Sequence, residues 1–249
     1  MLDNSAKNFS QAGNGRFATT HWSIVLRAGK PKAQGYQDAL QTLCQSYWYP
    51  LYVFIRRQGY TNQQAEDYTQ AFFCRILEKK VLGMADSKRG KFRSFLLSTL
   101  KHFLADEHDR ARAQKRGGGR TILSIDFEGA DNQYVLEPAD TLSPEKLFDK
   151  SWALTVLERT MTRLKTELAS QDKQELFEHL KIYLTAGKGA ISYRDKAAQL
   201  DMTEGNVRTA VHRLRRRYRK LLRDEIAQTV TNEGQIDEEI DELFNALAY

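Results

Sequence analysis

Proline is scarce in this chain, 4 among 249 residues, and glycine numbers only 15. A sandwich or barrel of many short strands needs more turn residues than that, so these counts point to helices. Cysteine is limited to Cys44 and Cys74. Neither belongs to a C-x-x-C pair or has a histidine at ligand spacing, which excludes a disulfide framework and a thiolate metal site. Both read as reduced thiols in the core. No run of 18 apolar residues occurs, so no membrane-spanning segment is expected. The first 16 residues lack the apolar stretch of a secretory signal, and the expectation is a cytoplasmic protein.

The side-chain constellations of an enzyme are missing too. There is no nucleophile elbow and no zinc-protease motif. Gly187, Lys188 and Gly189 make half a phosphate loop but lack the Ser or Thr that must follow the lysine. Asp106, Glu107, His108 and Asp109 are consecutive, and consecutive helical residues point around the cylinder instead of converging on an ion. The sequence therefore predicts no enzyme, no catalytic residues, no cofactor and no metal.

What is present is charge, unevenly placed. Apolar residues make up 41% of the chain, enough for a core, and the formal net charge is +6. Lys88 to Arg120 carries ten basic residues against three acidic ones, a balance of +7; Lys188 to Arg223 carries eleven against three, a balance of +8. Between them, Arg120 to Asp149 holds two basic and seven acidic residues, and Asp224 to Tyr249 holds eight acidic residues and no basic one. Two basic modules, an acidic connector and an acidic tail suggest bipartite contact with a polyanion such as nucleic acid. Solvated helix faces are the plainer alternative.

Apolar periodicity supplies the helices. Ala65, Tyr68, Phe72, Phe73, Ile76 and Leu77 recur at spacings of three and four, with Thr61 near the N-cap and Glu66 and Asp67 in the first turns. A second helix is predicted from about Phe92 to Ala113, with Phe95, Leu96, Leu100, Phe103 and Leu104 as its stripe, and a further one resumes at Glu145. Pro31, Pro50, Pro138 and Pro144 divide the chain, each interrupting any helix it falls in. Ala197, Ala198, Leu200 and Met202 ahead of a Thr203 cap describe a short helix and a tight turn into a second helix. There Val207, Val211, Leu214, Tyr218 and Leu221 form one stripe, which leaves Arg208, Thr209, His212, Arg215, Arg216 and Arg219 on the other side. A recognition helix needs donors for base edges near its start and cations for phosphates along its length.

Glu204 to Arg215, E-G-N-V-R-T-A-V-H-R-L-R, resembles the G-T-V-K-S-R-L-H-R-A-R stretch in the −35 reading domain of extracytoplasmic-function (ECF) sigma factors of bacterial RNA polymerase. Ala65 to Phe73, A-E-D-Y-T-Q-A-F-F, resembles that family's A-E-D-L-T-Q-E-V-F helix, and Phe92 to Asp106 resembles its F-R-x-W-L-x-x-I-A-x-N-x-x-x-D helix. The three motifs stand in the family's order and with their surroundings cover about Gly35 to Arg223. Thr19 to Ala28 and Tyr47 to Arg57 resemble a subgroup of longer ECF-like proteins. His102 departs from the family's usual Asn, and Ala210 from its frequent Arg.

The resemblance implies an all-α protein of two helical domains joined by an acidic linker, the second a winged-helix-like helix-turn-helix. Its parts would be an N-terminal extension (1–30), a domain for core polymerase and the −10 element (31–116), the linker (117–149), a −35 domain (150–223) and an acidic extension (224–249). It assigns Asp67, Gln70, Phe72 and Phe73 to the clamp helices of the polymerase β′ subunit; Asp67 as a first-turn acid favouring the helix dipole is the alternative. Lys88, Arg89, Lys91, Phe92, Arg93 and Lys101 would take the −10 DNA, with Phe92 as a core residue the alternative. Thr203, Arg208, Thr209, His212, Arg213, Arg215, Arg216 and Arg219 would take the −35 DNA. The implied partners are RNA polymerase core, promoter DNA and an anti-sigma factor. An autonomous helix-turn-helix regulator is the competing expectation. The acidic tail has two possible destinations: the basic helix-turn-helix, or its own domain through Ile236, Ile240, Leu243, Phe244 and Leu247.

Overall fold

The structure is a computed structural model and describes residues 25, 28–30, 34–78, 81–85, 91–114, 142–185, 192–227, 230 and 234–248. Among these the chain is mostly helical and has no strand. The helices are α1 (Tyr36–Arg57), α2 (Asn62–Glu78), α3 (Phe92–Gln114), α4 (Pro144–Ala169), α5 (Gln174–Leu180), α6 (Ile182–Thr185), α7 (Tyr193–Gln199), α8 (Glu204–Ala227) and α9 (Gln235–Leu247), with a 3-10 turn at Val81–Met84.

Local chemistry sets several of these ends. Thr61 and Gln64 form a reciprocal capping box ahead of α2: the Gln64 N–H donates to the Thr61 hydroxyl at 3.3 Å, and the Thr61 N–H donates to the Gln64 side-chain carbonyl at 3.0 Å. Gly59, at φ 93°, turns the chain between α1 and α2 in a backbone region that side chains resist. Ser143 caps α4 by accepting from the Lys146 N–H, and Pro144 occupies the first helical turn, where its missing donor costs nothing.

Pro50 does not break its helix. It lies inside α1, buried in a run of apolar side chains from Tyr47 to Ile55 that packs against α2 and α4. An interior proline costs about 3 kcal/mol. Burying a single large side chain returns about 1.5 to 3 kcal/mol, so the packing of this stretch outweighs the local penalty. Cys74 also departs from expectation: it is exposed, because one step past Phe73 turns it off the buried face, while Cys44 is half-buried.

Two apolar cores share the helices. The larger gathers α1, α2, α3, the first half of α4, Leu222 and Ile226 of α8, and α9, and it also takes in Val25 and Ala28. The smaller joins Leu164 of α4 with Phe177, Leu180, Tyr183, Ala197 and the α8 stripe Val207, Val211, Leu214 and Leu221. Thus Leu147, Phe148, Trp152, Ala153 and Val156 pack with the N-terminal helices, and the division between cores falls within α4, beyond the expected boundary at residue 150. The segment 115–141, most of the expected linker, lies outside the described residues, as do most residues of the expected N-terminal extension.

Candidate nucleic-acid interface

The smaller core presents α8. Ser192 caps α7 by accepting from the Asp195 N–H, and α7 ends in a turn where the Met202 N–H donates to the Ala197 carbonyl at 3.0 Å. Asp201 takes φ 50° there, a left-handed conformation that a short polar side chain tolerates. The Thr203 hydroxyl then accepts from the Asn206 N–H at 3.2 Å and starts α8. Small Ala197 and Val207 are both buried, which lets α7 and α8 meet closely.

Along α8 the side chains divide by helical angle. The expected stripe is inward, with Tyr218 half-buried. Arg208, Thr209, His212, Arg213, Arg216 and Arg219 are exposed. At about 100° per residue, these six fall on the side of the helix away from the stripe. Among the described residues, no carboxylate pairs with Arg213, Arg216 or Arg219. Arg208 is partly engaged: it pairs with Glu204 at 2.6 Å, and its guanidinium lies 5.4 Å from the Tyr193 ring centre. Arg215 departs from the expected DNA-facing set. Its Nε and Nη2 donate to the Tyr183 carbonyl at 3.1 and 2.9 Å, because its position turns it toward the end of α6. Arg217 instead forms a two-oxygen pair with Glu167 that ties α8 to α4.

The N-terminal set behaves differently. Phe72 is fully buried with its ring against Phe73 and Phe103, and Phe73 is buried beside it; both are core residues, not anchors offered to a partner. The resemblance assigns them to the polymerase, whereas their place in the apolar stripe is that of the inward face of α2. Asp67 and Gln70 are half-buried on that helix. Phe92 is likewise interior, edge-on to Tyr47 at 5.4 Å, so it is a core residue and not a base-stacking platform. Lys88 and Arg89 lie outside the described residues.

The remaining three cations of that set are ion-paired. Lys101 lies 2.7 Å from Glu145. Lys91 lies 2.6 Å from Glu239 and 2.5 Å from Glu242, both on α9. Arg93 is buried, pairs with the same two glutamates, approaches Asp149 at 3.4 Å, and lies 4.5 Å from the Trp152 ring centre. Glu239 is only 1% exposed. Burial raises the Glu242 carboxyl, but the hydrogen bond from Lys91 and the charges of Arg93 and Lys91 together outweigh it and leave the pKa below the ordinary value. At Asp149, burial and the neighbouring Glu242 and Glu239 outweigh the charges of Arg93 and Lys91, and the pKa is raised.

The acidic helix α9 therefore packs on the larger core against α4 and the C-terminal part of α8, its acids reach Lys91 and Arg93 at the start of α3, and Asp237 pairs with Arg223 of α8. Ile236, Leu243 and Ala246 face inward with Ile240 and Leu247 against them, whereas Phe244 is 52% exposed and drops out of the expected face. Glu239 and Glu242 were not singled out by sequence, although a signal existed: Glu239 stands within the stripe Ile236, Leu243, Ala246, and an acid inside an apolar stripe calls for a buried cation. No group of three residues fit to hold a metal ion occurs among the described residues, and no described helix is long and apolar enough to cross a membrane. Compared with known proteins, the chain matches no family profile, no curated protein and no solved structure.

Proposed function

We propose that the chain is a transcription initiation factor of the ECF sigma type, acting in the cytoplasm without catalysis of its own. It binds RNA polymerase core and brings it to promoters through two readers. In this reading α7, the turn and α8 are a helix-turn-helix that lies on −35 duplex. The first half of α3, with Lys91 just ahead of it and Arg93 and Lys101 within it, takes the opened −10 strand. The observation that carries it is the outward face of α8, where among the described residues Arg213, Arg216 and Arg219 have no carboxylate partner while the opposite stripe is buried. Cations left unpaired along a rigid helix behind a capped turn suit a phosphate backbone and a major groove. With Phe72 and Phe73 interior, contact with the polymerase falls to the polar side of α2, where Asp67 and Gln70 sit. Held together by the enzyme, each weak DNA contact gains effective concentration from the other.

Sizing a mixture of the purified chain and core polymerase tests the reading. Co-migration as a single copy per enzyme, with protection of −35 duplex by the complex, is the expected result; separate elution overturns it. One observation favours the competing reading of an autonomous regulator: Lys91, Arg93 and Lys101 are all neutralised, which leaves α8 as the open basic face. Such a regulator binds a palindromic site as a dimer without the polymerase, and the mass of the DNA complex separates the two.

A further inference from the structure

We propose that α9 is an intramolecular competitor for single-stranded nucleic acid: its carboxylates occupy the Lys91 and Arg93 surface and keep it closed in the free chain. The proposal rests on the reading of α3 as a strand-binding surface and names how that surface is regulated. Three carboxylates, Asp149, Glu239 and Glu242, pair with Lys91 and Arg93 there, so the charge of these two cations is taken up within the chain. Glu239 and Glu242 are three residues apart, about 4.5 Å along the helix axis. They engage Lys91 and Arg93 in the way that two successive phosphates would.

The arrangement holds without being permanent. Arg93 is clamped between the Trp152 ring and the α9 acids, but Lys91 is 31% exposed and Glu242 is 49% exposed, which gives an incoming strand an edge at which to start. The apolar face of α9 rests on the same core, and Arg223 with Asp237 fastens its start. A tethered competitor acts at an effective concentration that a dilute strand does not match. Apparent affinity is then the intrinsic affinity multiplied by the open fraction.

The test uses the full chain and a fluorescein-labelled single-stranded thymidine oligonucleotide, followed by anisotropy over a salt series. E239Q/E242Q keeps the volumes and removes the competing charge. Its affinity is expected to rise about tenfold as the open fraction grows. Its salt slope should steepen by about 1.4, two phosphates at about 0.7 each. N245E adds an acid to the cleft that Asn245 lines with Arg93, Lys146 and Glu242 and removes no packing. It is expected to weaken binding about twofold by the same relation. Unchanged affinity and slope in a folded E239Q/E242Q overturn the proposal; should that variant not fold, unchanged binding by N245E overturns it. Absence of strand binding by every variant also overturns it, whatever the polymerase result. Gain of strand binding by E239Q/E242Q in a chain that does not co-migrate with core polymerase keeps the competitor and overturns the initiation-factor reading.

Discussion

Arg216 projects outward from α8 with no carboxylate partner among the described residues, whereas Arg215, its neighbour, donates twice to the Tyr183 carbonyl. Adjacent arginines thus have separable roles. Arg216→Ala is expected to flatten the dependence of duplex affinity on salt by about 0.9 in log–log slope, the loss of one phosphate contact. Arg215→Ala should leave that slope alone and cost about 1.5 to 3 kcal/mol of stability, as for other hydrogen bonds to charged groups. Anisotropy across a salt series and a denaturant midpoint read the two effects. Phe72 permits an equally sharp statement. Truncating a fully buried phenylalanine costs about 3 to 5 kcal/mol, so Phe72→Ala is expected to lower the urea midpoint strongly. A stable Phe72→Ala chain with reduced polymerase binding would restore its role as an anchor.

Glu178 links helices by charge. It lies 2.8 Å from Lys165 of α4 and 2.6 Å from Lys181 just past α5, and these hydrogen bonds hold its carboxyl down to about 2. A carboxyl depressed on folding contributes stability above its unfolded value, near 4.5, and loses it as pH falls toward the folded value. The stability difference between the native chain and Glu178→Gln is therefore expected at neutral pH and should vanish between about 4.5 and about 2. An unchanged difference across that window would show that the two lysines do not act through this carboxylate. The helices themselves were legible in the sequence: α3 begins at Phe92 as its stripe indicates, and α4 begins at Pro144, one residue ahead of the expected Glu145. Periodicity fails where packing overrules it, as at Pro50, and it cannot distinguish an inward aromatic from one offered to a partner, as at Phe72 and Phe92. The face of α8 was readable because stripe and cap occur together. The destination of α9 was not, because the Arg93–Glu239 pair spans 146 residues, and long-range partners leave no local period.

α4 and α8 each contribute to both cores: Val156 and Leu164 lie on one helix, Leu221 and Leu222 on the other, and each pair is split between the two clusters. Loosening one core therefore strains elements of its neighbour, and one cooperative unfolding transition is expected. Phe177→Ala, in the smaller core, should cost about 3 to 5 kcal/mol. In a chain carrying Trp22→Phe, that change should move the fluorescence transition of Trp48 and Trp152, which belong to the larger core, as far as the circular dichroism transition. Two separated transitions would mark independently folding halves. A second consequence concerns distance. α4 has 26 residues, about 39 Å at 1.5 Å per residue. On the proposed function, an unbroken rod of that kind would act as a ruler between α8 and the start of α3. Each residue added to or taken from it would change that gap by about 1.5 Å and turn one end by about 100°, so on that reading the molecule would measure its two target elements instead of reaching for them.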